Sequence, residues 1–571
     1  MKKILILLLW TILFSSTYAY TLSLESIRTQ IQNAVNTRLK GPNKPLVTKL
    51  YDKAGYRPLW FGRDYQRKTS ELIRALNDPL FNYKNKNFDQ RAIKHLYYLL
   101  DNNQISHEKK AAVYARLDLL LTNAYLRLVR FIVQGDVDWQ MVQEKIAKLK
   151  ETNDIKAHWE MHPKAMPPPK EIYRAVIEGN IKRYLKSLIP MKKRYKKLVK
   201  LLKAYRRMQK FPKIPYRNKV YKTGDRSKDI LLIKKRLQIS GDYPKDAPLD
   251  TYFDTTLREA VLTYQKRYLL KATGMVDKTV TYYLNQPVKN NIRAIITNLD
   301  KTKLYPKHFE KEYVEVNIPD FNLRYYRNYR RLLKMGVVVG RIDRPTPIFD
   351  DKIEYMVLNP TWTIPDNLIK RDLIHVLRED PDYLAEHDIH VFKDNREINV
   401  TQEMLDPYEH SDKRVPYRFV QFPGENNALG RVKFMFPNKY AVYLHDTDNK
   451  TLLSRRYKVY SSGCMRVQRP FDLMHILLKH AKKNYSQSDI AEIIASNKPT
   501  TIRLAKPIPV HILYFTVYEE DGLAYFKNDI YMYDQIIYES SRGHKKATFT
   551  VPKKRLITIK KQKRAQKPLS N

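Results

Sequence analysis

The hydrophobic pattern changes period near Tyr313, and that switch divides the chain into parts that cannot share one kind of fold. Upstream, apolar residues recur at helical spacing. In "AAVYARLDLLLTNAYLRLVRFIVQGDVDW" (111–139), Leu117, Leu120, Leu121, Ala124, Leu128 and Phe131 share one face, and Gly135 stops the run. Residues 20–222 show no sustained two-residue alternation and are predicted to form a helical scaffold, interrupted by a loop at the proline-rich "MHPKAMPPPK" (161–170). Three amphipathic helices follow in 223–290, with Leu232 and Leu237, then Leu257, Val261 and Tyr264, then Val280 and Leu284 turned inward. Downstream, short β-rich runs such as "YVEVNIPDFNLRYYR" and "RVKFMFPNKYAVYLHDT" are punctuated by Pro, Gly and Asn. They predict a mostly β domain over 311–538. Helical text at 366–417, for example "IKRDLIHVLREDPDYLAEH", interrupts it and predicts an inserted subdomain, a position typical of a lid. The expected fold class is multidomain α+β.

The N-terminus limits where such a chain works. "MKKILILLLWTILFSSTYA" (1–19) joins two lysines, an apolar run from Ile4 to Phe14 and small residues up to Ala19. It reads as a secretory signal peptide, too short to remain as a membrane span, so the mature chain is expected to be exported. The formal charge of +47 is concentrated in two blocks: 17 Lys and Arg without an acid in 181–222, and 11 without an acid in 542–571, within a basic tail 539–571. Outside the cytosol the abundant polyanions are phospholipid head groups and envelope glycans. The blocks therefore point to anionic membrane or wall surfaces and not to nucleic acid. A solvated helix and a plain tail are the alternative.

Export also makes the cysteine content informative. Cys464, in "VYSSGCMRVQRP" (459–470), is the only cysteine in 571 residues, so it has no disulfide partner in its own chain. It is either an inert buried residue or a reactive one. A cysteine becomes a nucleophile when a nearby base or positive charge favours the thiolate. His445, in "YAVYLHDTDNK", ends a predicted strand 19 residues upstream, and a strand, loop and returning strand of that length can bring the two together. Ser462, Gly463 and Cys464 are expected to make a tight turn whose backbone N–H groups could stabilise an oxyanion. Arg466 could hold the turn or a substrate carboxylate, and Tyr443, on the same strand face as His445, could line the pocket or pack in the core.

These residues carry a resemblance. "YLHDT … YSSGCMRV", with "RPTPIF" and "PGENNALGRVKFMFPN" upstream, resembles the L,D-transpeptidase catalytic domain, whose signature is a histidine followed some 15 to 20 residues later by Ser-His-Gly-Cys, an aliphatic residue and Arg. Ser462 stands where the commoner form has histidine, so no role of that histidine transfers. The three-helix segment resembles a peptidoglycan-binding domain through Leu237, Gln238, Phe253, Asp254, Ala260, Val261, Gln265, Gly274, Asp277 and Thr279. With the helical scaffold, the chain is similar to the large, periplasmic, lid-bearing members of that family. The resemblance implies a cysteine acyltransferase needing no cofactor and no metal. Cys464 would attack the position-three diamino acid of a stem peptide and expel D-Ala. His445 would act as base, steadied by the Asp446 backbone carbonyl, and the N–H groups of Gly463 and Cys464 would form the oxyanion hole. Stem peptides and glycan strands would be the partners.

Other readings use the same text. "SHEK" (106–109) and "KTG" (222–224) mimic serine cell-wall enzymes, but no Ser-x-Asn lies between them and "KTG" opens a helical module. His387 and His390 in "HDIH" lack the helical His-Glu-x-x-His arrangement of zinc peptidases. A non-catalytic wall-binding protein would not need Cys464, His445, Gly463 and Arg466. Hydrolysis by water, or attachment of a protein to the wall, would use the same site with another acceptor.

Overall fold

The computed structural model describes residues 24–541, apart from 62–64, 102–104, 106, 154–156, 209–210, 212 and 410. The expected export signal, Ser106 and the tail from 542 onward lie outside the described residues. The spine of the scaffold is the helix His107–Val133, which buries Leu117, Leu121, Ala124, Leu128 and Phe131; Leu120 is only half-buried. Gly135, at φ +75°, turns the chain just beyond it.

The next module consists of helices Lys228–Ser240, Thr255–Arg267 and Lys278–Leu284. Ser227, Asp254 and Asp277 cap them, each side chain accepting a backbone N–H in the first turn, which stabilises each helix by about 1 kcal/mol. The expected inward residues are buried, except Leu232, which is half-buried.

The C-terminal region is a nine-stranded sheet. Its strands are β1 (Glu312–Asn317), β2 (Asn322–Arg327), β3 (Arg330–Gly340) and β4 (Asp350–Leu358), then, beyond the insertion, β9 (Val432–Met435), β10 (Leu444–His445), β11 (Val459–Ser461), β12 (Met465–Val467) and β13 (Thr500–Leu513). Their order is β11-β3-β12-β10-β9-β4-β13-β1-β2, and β2 pairs back onto β3, so eight strands close into a ring and β11 is left paired to β3 alone. Alternation explains the interior: in β9, Val432 and Phe434 are buried while Lys433 and Met435 face the other way.

The insertion is not purely helical, as its text suggests. Its short helices pack with a four-stranded sheet, β5 (Trp362–Thr363), β8 (Arg418–Gln421), β6 (Ile389–Lys393) and β7 (Arg396–Glu397), around a core of Ile369, Leu373, Ile374, Leu405 and Phe419, so the subdomain reaches past the expected 366–417 to include β5 and β8.

These parts are welded together. The hairpin β14 (Val517–Glu520) and β15 (Leu523–Phe526) sends Val517, Ala524 and Phe526 into the helical core. The guanidinium of Arg267 is fully buried against the Asp242 carboxylate and donates to Ala524 O at 2.6 Å and to Tyr205 Oη at 3.2 Å. The basic helix Lys192–Arg207 buries Tyr195, Leu198, Val199, Leu201, Leu202 and Tyr205. Arg194 meets Glu315 of β1, and Lys197 pairs with Glu519, so part of the charge of this block is neutralised inside the molecule. Residues 161–168 of the proline-rich stretch form the expected loop, and Pro169 opens the next helix. Just before it, Trp159 bridges to Ile348, and Glu160 accepts from Tyr440 Oη at 3.0 Å and pairs with Lys439.

Candidate active site

Strand register assembles the site. Antiparallel β9 and parallel β12 flank β10, with His445 opposite both Lys433 and Arg466. One position earlier, Leu444 sits opposite Phe434 and Met465, all buried in the core. Side chains alternate along a strand. Tyr443 and His445 therefore share the face opposite Leu444, and Cys464 and Arg466 the face opposite Met465. The residues expected to form the site are brought together, and Lys433 joins them unforeseen.

The turn carrying Cys464 is tightly held. Gly463 has φ +120°, a conformation that disfavours any side chain. Its carbonyl accepts a hydrogen bond from Thr346 Oγ1 at 2.8 Å, and its N–H donates to Ser461 Oγ at 3.3 Å. The Gly463 N–H is thus directed at Ser461, and that long bond must yield before it can serve an oxyanion. Ser461 Oγ donates to the Cys464 carbonyl. Arg344 Nη1 donates to Ser462 Oγ at 3.1 Å, while the same guanidinium makes a two-pronged pair with Asp372 of the insertion, Nη2 to Oδ1 at 2.8 Å. Arg344 and Thr346 give the "RPTPIF" segment its physical meaning: it braces the turn before the cysteine.

The electrostatics favour a neutral pair. Burial pushes the Cys464 thiol up to about 11, although the backbone N–H and phenol of Tyr443, and the charges of Arg466 and Lys433, favour the thiolate. Burial lowers His445 to about 3, with Arg466 and Lys433 acting in the same direction and the Asp446 backbone opposing them. His445 Nδ1 is buried without a well-formed hydrogen bond. The Asp446 carboxylate is engaged elsewhere, accepting the Arg431 N–H at 2.9 Å and pairing with Lys450. It is not oriented as the acid of a triad. Burial also lowers Lys433 and Arg466; Arg466 donates to Thr447 Oγ1 at 3.3 Å and keeps a buried Nε–H without a partner. A thiol, a neutral imidazole and an underused guanidinium on one face can perform acyl transfer to sulfur with a carboxylate-bearing substrate. Among the described residues no group of His, Cys, Asp and Glu is arranged to hold a metal ion.

Residues 311–490 match the family profile of the YkuD L,D-transpeptidase catalytic domain, 45–202 a profile described as a scaffold domain, and 226–283 that of a peptidoglycan binding domain. A Haemophilus influenzae protein named as a candidate L,D-transpeptidase is 38% identical over 222 residues, 39% of this chain. The match spans 44% of that relative's length. Solved L,D-transpeptidases from Xylanimonas cellulosilytica and Stackebrandtia nassauensis align at 12% and 13% identity. They cover 52% and 51% of this chain, and 99% and 94% of theirs, with TM-scores of 0.18 and 0.21.

Proposed function

We propose, for a chain that carries a YkuD L,D-transpeptidase catalytic domain, a peptidoglycan-binding domain and an N-terminal scaffold domain, that Cys464 and His445 transfer acyl groups between peptidoglycan stem peptides. The observation that carries this reading is the register across β9, β10 and β12, which gathers Lys433, His445, Arg466, Tyr443 and Cys464 around one face. His445 takes the thiol proton as sulfur attacks the carbonyl of the position-three diamino acid. The C–N bond to the terminal D-Ala breaks, and the proton passes to the departing amine. An acceptor amine, deprotonated by His445, then attacks the thioester and regenerates the thiol, leaving a 3-3 cross-link. Arg466, with its spare N–H, is suited to the substrate carboxylate. Gly463 and Cys464 N–H groups receive the oxyanion once the Gly463 bond to Ser461 is released. Tyr443 lines the thiol.

Asp372 supports the reading of the insertion as a lid, because its pair with Arg344 runs directly to Ser462 beside the nucleophile. A closed lid keeps water from the thioester and favours transfer over hydrolysis. The peptidoglycan substrate points to work in the cell envelope, reached by export through residues 1–19. No helix among the described residues is long and apolar enough to cross a membrane. Incubating the mature chain with purified tetrapeptide muropeptides should yield cross-linked tetrapeptide–tripeptide dimers by mass. Tripeptide alone would make water the acceptor, and unchanged substrate would refute the activity.

A further inference from the structure

A second cleft lies away from Cys464, where the basic scaffold helix meets β1 and β2. It encloses about 760 Å³, in the range of ligand sites, and sits at a domain junction, where such sites concentrate. None of the candidate catalytic residues lines it. Its charges fall into two classes. Those of the floor and one wall are mutually satisfied: Arg194 Nη2 contacts both oxygens of Glu315 at 2.8 Å, and Glu520 takes both Arg331 and Lys334. Lys193, Lys307 and Arg330, contributed by three different segments, are exposed and make no ion pair among the described residues. Against them stands one exposed acid, Asp521.

The aromatic residues supply an independent observation. Tyr313 and Tyr326 stack across β1 and β2 with centroids 4.8 Å apart. Tyr329 is the second residue of the two-residue turn joining β2 to β3, where Asn328 and Tyr329 both have positive φ, +50° and +61°. That turn type favours glycine at its second position, and a bulky aromatic there is held in a costly conformation. Tyr329 is nevertheless 50% exposed on the cleft. Half of the Tyr329 side chain is thus offered to the cleft from a position where glycine would cost less.

We propose that this cleft binds a second segment of peptidoglycan, sugar faces lying on Tyr329 and the Tyr313–Tyr326 stack, and stem-peptide carboxylates meeting Lys193, Lys307 and Arg330. The proposal rests on the reading of the chain as a peptidoglycan enzyme, and adds a site that would hold a neighbouring strand while Cys464 works. Ring C–H groups suit an aromatic platform, and carboxylates suit exposed cations whose attraction is screened by salt.

The test uses the full mature chain carrying Cys464→Ala, so that nothing turns over, with soluble uncross-linked glycan chains bearing tetrapeptides as probe. Tyr329→Gly removes the platform and relieves the turn, so it should melt no lower than its parent while binding the chains at least fivefold more weakly. Lys193→Glu with Arg330→Glu should weaken binding similarly and flatten its salt dependence. Parent-like binding in both variants would overturn the proposal. So would variants that keep glycan binding but lose binding to vesicles of anionic phospholipid, which would give the cleft to a membrane. The resemblance to L,D-transpeptidases implies acylation of Cys464 by carbapenems, so a carbapenem adduct on the unsubstituted chain, read by intact mass, decides the Cys464 reading separately.

Discussion

Burial places the Cys464 thiol at about 11 and the His445 imidazole at about 3, which predicts a resting pair of thiol and neutral imidazole instead of a preformed thiolate–imidazolium pair. At pH 7 the thiol lies four pH units below its titration point, so about one molecule in ten thousand carries a thiolate. Burial therefore makes moving the proton from sulfur to imidazole uphill in the resting site. The transfer is expected to coincide with attack on the carbonyl instead of preceding it as a separate ionisation. Because the chain has a single cysteine, iodoacetamide alkylation read by intact mass reports on this thiol alone. The rate should climb about tenfold per pH unit from 6 to beyond 10 without a plateau, and His445→Ala should leave that slope unchanged. Carbapenem acylation, which uses the neutral pair, should be nearly flat between pH 5 and 9. A plateau in alkylation between pH 5 and 8 would show a stabilised thiolate and refute the neutral-pair argument.

Cys464→Ala should abolish both turnover and the carbapenem adduct while leaving the melting curve intact, and His445→Ala should acylate at least a hundredfold more slowly; either variant turning over normally removes the proposed mechanism. Asp372→Asn weakens the contact between insertion and Arg344 by about 1–2 kcal/mol, since Asp372 is partly solvated, and should raise the ratio of hydrolysed tripeptide to cross-linked dimer several-fold. An unchanged ratio would remove the insertion from control of the thioester. Asp242→Ala leaves the Arg267 charge buried without its carboxylate and should cost about 3–5 kcal/mol in a denaturant titration, whereas a loss under 1 kcal/mol would mean that Arg267 escapes to water.

The parts legible in the sequence were those set by local periodicity. Leu117, Leu121, Ala124, Leu128 and Phe131 announced their helix because every fourth residue or so meets the same neighbours. Cys464 and His445 were legible because 19 residues of strand, loop and strand allow one return. Lys433 was not: it is one of 106 lysines and arginines, and only the pairing of β9 with β10 puts it opposite His445. Arg344 and Ser462 lie 118 positions apart, and their bond depends on sheet closure. The strands inside the insertion are hard to read because Arg396–Glu397 is two residues long and Ile389–Lys393 only five, too short for alternation to stand out from the helical text around them.

The basic helix shows how one signal can conceal another. Tyr195, Leu198, Val199, Leu202 and Tyr205 repeat at helical spacing, yet an acid-free run of lysines and arginines draws attention to the charge. Folded, that apolar stripe belongs to the helical core, which the β14–β15 hairpin also enters, and Arg194 and Lys197 find the acids their own segment lacks in Glu315 and Glu519. The same dependence reaches the site. Glu160, in the scaffold, holds Tyr440 and Lys439 in the bend that ends at Ala441, whose carbonyl lies 3.9 Å from the Cys464 sulfur. Sequence divides the chain into separable domains because its periodicities change sharply between them, whereas the contacts around Cys464 cross those divisions. The scaffold is therefore part of what positions Cys464.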